Sequence, residues 1–139
     1  MRTNFDKAFD LLMELEGGFV DDSKDAGGAT KYGISKRAYP DEDIKNLTPA
    51  RAKELYLRDY WIPAKCDDLS APWDIVVFDT AVNMGVGTAT LLSSQSTAWQ
   101  DMLLFRLRRY VQIVGRNPSQ VKFLRGWMNR VIRLWEVAK

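Results

Sequence analysis

Histidine is absent from the 139 residues, and cysteine occurs once, at Cys66. The first absence removes Ser-His-Asp and Cys-His catalysis and the usual zinc sites. The second removes any intrachain disulfide and any thiolate cluster. Cys66 stands beside Asp67 and Asp68, not in the electropositive surroundings that activate a thiol, so it reads as a packed structural residue. No stretch approaches the roughly 18 apolar residues of a membrane span. The opening MRTNFDKAFDLLMELEGG sets acids inside its apolar stretch and does not read as a signal peptide. If the chain is an enzyme, carboxylates are the groups left for acid–base work, and neither metal nor cofactor is expected.

What is present fits one globular domain. Hydrophobic residues make up 46% and charged residues 27%, values that support a packed core in a chain of this length. The net charge of +2 is unevenly spread: residues 101–139 hold nine bases against Asp101 and Glu136. Such asymmetry points to an acidic working lobe and a basic tail that meets something anionic, an anionic envelope polymer for instance. The competing reading of the tail is a solvated helix face.

The pattern is mostly helical. Phe5, Phe9 and Leu12 recur at helical spacing over residues 4–15. From residue 18 to 35 that period is lost, glycines cluster at 27, 28 and 33, and a small β-hairpin or looped ribbon is expected, its turn over residues 24–28. Ser35 is placed to cap a short helix stopped by Pro40. Thr48-Pro49 starts a helix reaching about residue 60. Pro72 opens another, with Gly85 as its stop signal. Residues 86–100 are weakly patterned, residues 101–114 are amphipathic, and Asn117-Pro118 begins the last helix. Trp61, Trp73, Trp127 and Trp135 lie in or near helical patterns and read as core.

Glu16 is the informative residue. At about 100° per residue it falls within roughly 40° of Phe5, Phe9 and Leu12, so a carboxylate ends the face that must be buried. It also sits at the C-terminal pole of the helix, where the macrodipole disfavours negative charge. Burial and dipole both raise its pKa, as a general acid requires. The alternative is a solvated Glu on a frayed helix end. Gly17 and Gly18 follow, then Asp21, Asp22 and Asp25 in a glycine-rich loop. Glycosidic hydrolysis needs one protonated carboxyl and one ionised carboxylate, and Glu16 with one of the three aspartates supplies that pair. A calcium loop starting at Asp21 would need Gly and Glu where Ala26 and Tyr32 stand, and the loop lacks the phosphate-loop pattern. A structural hairpin with solvated aspartates is the remaining alternative.

Three stretches carry a family resemblance. Glu16-Gly-Gly-Phe19 with Asp25-Ala-Gly-Gly-Ala-Thr30-Lys-Tyr-Gly-Ile34-Ser, Tyr56 through Asp59-Tyr60-Trp61, and Phe78-Asp79-Thr-Ala-Val82-Asn83-Met-Gly85 together resemble glycoside hydrolase family 108, the bacterial and phage N-acetylmuramidases. Residues 117–120 and 123–130 resemble the helical C-terminal segment beside that domain, often described as peptidoglycan-binding. The resemblance implies a mostly α, lysozyme-like fold, a helical bundle with a small N-terminal β-hairpin next to the catalytic helix. It implies one domain over 1–139, with a catalytic core over 1–92 and a helical segment over 93–139. It implies hydrolysis of the β-1,4 bond after N-acetylmuramic acid, with Glu16 in the catalytic position. Asp25 fits the spacing of the second carboxylate in phage-type lysozymes; Thr30, the counterpart of their water-positioning Thr, comes one residue early. The connection after residue 85 is short and lacks the family's Gly- and Thr-containing pattern.

Asp22, Tyr32, Asp79 and Asn83 are the candidate sugar contacts. Asp79 and Asn83 lie one helical turn apart, placed to line the cleft or to pin the hairpin. Tyr32 either stacks on a sugar or packs. The expected partner is the peptidoglycan glycan strand, reached from the cytoplasm by holin-type or other release. The rival function is a non-catalytic peptidoglycan-binding or secretion-accessory protein of the same fold. Nucleic-acid binding is disfavoured, since no docking helix gathers polar and basic residues on one face.

Overall fold

The computed structural model describes residues 2–15, 20–21 and 28–139. Glu16, Asp22 and Asp25, with the expected turn, lie outside them. Helix α1 spans Arg2–Leu15. Strands β1 (Val20–Asp21), β2 (Ala29–Lys31) and β3 (Ile34–Ser35) form an antiparallel sheet in the order β1-β2-β3. Five helices follow: α2 (Pro49–Tyr56), α3 (Trp73–Met84), α4 (Val86–Gln95), α5 (Trp99–Arg116) and α6 (Val121–Ala138). The fold is mostly α with a small sheet after the first helix, as expected.

The centre is α3. Every residue from Asp74 to Ala81 is buried, the signature of a helix enclosed by neighbours rather than laid on a surface. Helix α1 packs its Phe5-Phe9-Leu12 stripe here. The Phe5 ring meets Phe78 at 5.7 Å and Trp61 at 5.2 Å, both edge-on, in the geometry that ring quadrupoles favour. Asn4 Nδ2 donates to Asp74 Oδ2 at 2.7 Å. These contacts fix the axis along which α1 delivers its C-terminal end.

Caps and turns explain most boundaries. Thr48 Oγ1 accepts from the Arg51 N–H, and Pro49 opens α2. A turn of π-helix over Leu57–Trp61 continues α2 and places Trp61 fully inside. Gly85 has φ +95°, a conformation L side chains resist. Its N–H closes α3 on the Ala81 carbonyl and its carbonyl opens α4 on the Ala89 N–H. The two helices therefore break at one residue. Between β2 and β3, Tyr32 and Gly33 both take positive φ, 53° and 77°, as a two-residue hairpin turn of the primed kind demands. The Tyr56 hydroxyl donates to the Tyr32 carbonyl at 2.8 Å and ties that turn to α2.

Several expectations are corrected. Ser35 caps no helix: its Oγ accepts from the Ala38 N–H within a turn. Residues 86–95 form α4 despite their Ser and Thr content, with the Thr90 and Ser94 hydroxyls turned back onto the Val86 and Leu91 carbonyls. Of the tryptophans read as core, Trp61 is buried and Trp73 and Trp127 are half-buried, while Trp135 is 43% exposed. Cys66 is buried and free. Burial, then the nearby Asp74 and Asp67 charges, pushes its thiol up to about 12, so it stays protonated and unreactive.

Candidate active site

Helix α1 ends at Leu15 against a cavity of about 540 Å³. Glu14, Leu15 and Asn83 line one side; Gly126, Trp127, Asn129, Arg130 and Arg133 of α6 line the other. The last helix is thus a wall of the cavity at the end of the first. Arg133 grips Glu14 at 2.7 Å and joins the two helices directly. Arg133 and Glu14 hold each other charged, the guanidinium hydrogen bond drawing the carboxyl below its usual range.

Beneath this cavity lies a network of five side chains on three helices. Asp79 of α3 is 3% exposed. Arg106 of α5, itself fully buried, donates to its Oδ2 at 2.7 Å, and Arg130 of α6 donates to its Oδ1 at 3.0 Å. Burial works to raise the Asp79 carboxyl, and the two guanidinium charges overcome it, holding it below the usual carboxylate range. Arg106 also donates to the Tyr110 hydroxyl, from Nη2 at 3.1 Å and Nε at 3.3 Å. With its lone pairs so engaged, the Tyr110 hydroxyl turns its proton to Asn83 Oδ1. That contact fixes the orientation of the amide: its oxygen faces Tyr110, and its NH₂ has no partner among the described residues. Asn83 is therefore a donor held in place by a chain that begins at a buried ion pair.

The candidate residues separate accordingly. Asn83 lines the cavity at the end of α1. Asp79 stands one turn below it, and its carboxylate faces Arg106 and Arg130 rather than solvent. Thr30 occupies the middle strand, paired with Val20 and Ser35; it is half-buried, and its hydroxyl has no hydrogen-bond partner among the described residues. Tyr32 is half-buried in the β2–β3 turn with Lys31 Nζ 5.4 Å from its ring centroid. Arg106, Tyr110, Trp127 and Arg130 are the residues that sequence reasoning missed. Their separations from Asp79 and Asn83 along the chain are too long for any local pattern to show. Among the described residues no group of acids or thiols is arranged to hold a metal ion.

A second, larger cleft of about 710 Å³ is lined by residues including Tyr39, Glu42, Arg51, Arg58, Asp59 and Tyr60. It shares no residue with the first. Most of its charges are matched locally: Arg51 with Glu42 and Glu54, Arg58 with Asp59, and the Tyr39 hydroxyl with Asp59 at 2.8 Å.

The fold and this cavity at the end of the first helix fit a glycoside hydrolase. The chain belongs to the glycosyl hydrolase 108 family, whose model matches residues 9–85. Along its whole length it is similar to the solved structure of Brucella abortus SagA, at 27% identity and a TM-score of 0.77, covering 99% of this chain and 95% of that one. A search of curated proteins finds no match. The family match includes Glu16, the sheet and Asn83, and stops at the glycine between α3 and α4. The α6 wall lies beyond it, within the span shared with the SagA structure.

Proposed function

We propose that the protein is an N-acetylmuramidase of the lysozyme type, cleaving the β-1,4 bond between N-acetylmuramic acid and N-acetylglucosamine in peptidoglycan. Family membership supports peptidoglycan hydrolysis as the general activity. The observation that supports the finer reading is the cavity at the end of α1, lined by Leu15, the residue that precedes Glu16 in the sequence. In this reading Glu16 protonates the leaving glycosidic oxygen. Asp25, ahead of Asp22, acts as base or charge stabiliser. The Thr30 hydroxyl holds the attacking water, and Asp22, Tyr32 and Asn83 contact the sugars. The Asn83 NH₂ is the donor suited to a sugar hydroxyl or an acetamido carbonyl. Asp79, expected as a direct contact, serves through position, because both of its carboxylate oxygens are already engaged.

The domain is one unit: α6 closes the catalytic cavity instead of forming a separate binding module. Its basic residues favour an anionic envelope polymer as an additional partner. Among the described residues no helix is long and apolar enough to cross a membrane, and the proposed site of action is the cell wall or periplasm, entered by holin-type or other release. A turbidity assay on purified cell walls tests the reading. Clearing is expected from the wild type; binding without clearing would favour a non-catalytic wall-binding or secretion-accessory role.

A further inference from the structure

The cavity at the end of α1 does not stand alone. A second cavity of about 230 Å³, lined by residues including Asn83, Thr88, Arg109, Tyr110 and Trp127, shares Asn83 and Trp127 with it. A third, of about 380 Å³, shares Thr88 and Arg109 with the second and adds Leu91, Phe105 and Arg108. Linked in turn by shared lining residues, the three cavities follow one another from Leu15 past Trp127 and along α5 toward its N-terminal half, and together they are treated as one groove. Its α5 residues Phe105, Arg109 and Ile113 sit at four-residue steps on one face and span about 12 Å of helix.

Charge along this groove is uneven. At its near end every arginine is committed: Arg130 to Asp79 and Arg133 to Glu14. At its far end Arg108 and Arg109 are exposed and meet no carboxylate among the described residues. Arg108 lies 6.0 Å from the Phe105 ring centroid, a contact that orients the guanidinium without neutralising it. Apolar Leu91 and Leu92 face the same cavity. A long groove with a sugar-sized cavity and aromatic Trp127 at one end, and two free guanidiniums beside apolar side chains at the other, matches a neutral glycan carrying short peptides with free carboxylates.

We infer that the α4–α5 end of the groove is a subsite for the peptide stems of peptidoglycan, with Arg108 and Arg109 binding stem carboxylates and thereby setting preference for stem-bearing over bare glycan. The inference rests on the muramidase reading. Guanidinium–carboxylate hydrogen bonds are the directional, charge-assisted kind suited to that task.

The test compares initial rates of reducing-end release, at subsaturating substrate, from intact peptidoglycan and from the same glycan stripped of stems by an amidase. Wild type is expected to prefer the stem-bearing substrate. Arg108→Glu/Arg109→Glu should lower that preference roughly tenfold, the scale of losing hydrogen bonds to a charged group. Arg37→Glu/Lys45→Glu, two exposed positions outside the groove, should retain it. Should charge reversal impair folding, Arg108→Gln/Arg109→Gln carries the same comparison. A groove variant with the wild-type preference would overturn the inference while leaving the muramidase reading intact. Equal loss in the control would assign the effect to bulk charge and overturn it too. Wild type inactive on both substrates would remove the muramidase reading and the subsite together.

Discussion

Two charged clusters in this molecule use the same residue types to opposite ends. Around Asp79 the groups are buried, come from three helices, and are joined across 27 and 51 residues of sequence. Around Arg51 they face solvent and are joined locally, Arg51 to Glu42 nine residues away and Arg58 to its neighbour Asp59. The solvent-facing cluster lines the larger cleft, where Arg51 pairs with Glu42 and Arg58 with Asp59. The buried cluster touches little solvent but determines where Asn83 points and holds α6 against α3 and α5. In the muramidase reading, cleft size therefore says less about the site than the connection between buried charge and a cavity at the end of α1.

The sharpest way to break this comparison lies at the helix end both arguments depend on. Glu16→Gln should lower lytic rate by about 10²–10⁴, the usual loss for a positioned general acid, with the melting temperature of the wild type retained. Turbidity clearing together with a thermal melt checks both parts.

Next in size is the difference between the two clusters themselves. Asp79→Asn leaves the buried Arg106 without its counter-charge and should destabilise by about 3–5 kcal/mol, roughly a 10 °C or larger fall in melting temperature. Glu42→Gln in the solvent-facing cluster should leave the melt nearly unchanged, because exposed pairs gain little. The pH dependence follows from the sign of the Asp79 shift. Its folded pKa lies below the unfolded value, so its stabilisation is present above the unfolded pKa near 4 and lost as pH falls through the folded pKa. Acid titration of the wild type should show that loss, and Asp79→Asn should flatten it.

Smaller effects resolve the site itself. Among Asp21, Asp22 and Asp25, the Asn substitution at Asp25 should damage activity most; silence at both Asp22 and Asp25 would place the second carboxylate elsewhere. Tyr110→Phe removes both the donor that orients the Asn83 amide and the acceptor of two buried Arg106 N–H groups; it should raise KM several-fold and also lower the melting temperature, since buried donors left unpaired cost about 1–3 kcal/mol. The stereochemical outcome is expected to be inversion, with water held on the far face of the sugar by Thr30 and Asp25. NMR of the first-formed anomer reads this, and a β-anomer would contradict it.

What could be read from the sequence was local. The stripe Phe5-Phe9-Leu12 located α1, Thr48-Pro49 located the start of α2, and Gly85 marked the end of α3, because each signal acts within a turn or two of chain. Helix α4 was hidden by Ser and Thr residues whose hydroxyls bond back to the helix itself. Trp135 carries the same periodicity as the buried residues of α6, yet it lies on the outer face against Trp99, with ring centroids 4.9 Å apart; periodicity identifies a stripe without saying which stripe is covered. Asp79 and Asn83 were legible as a pair on one face, but their division into an enclosed anion and an oriented donor depends on Arg106, Tyr110 and Arg130, which only the tertiary fold brings to them.

The most direct measurement is the identity of the reducing end released from purified peptidoglycan, read by borohydride reduction and mass spectrometry for wild type and Glu16→Gln. The account predicts fragments ending in reduced N-acetylmuramic acid from the wild type and almost none from the variant. Fragments ending in reduced N-acetylglucosamine, or undiminished release by Glu16→Gln, would contradict it.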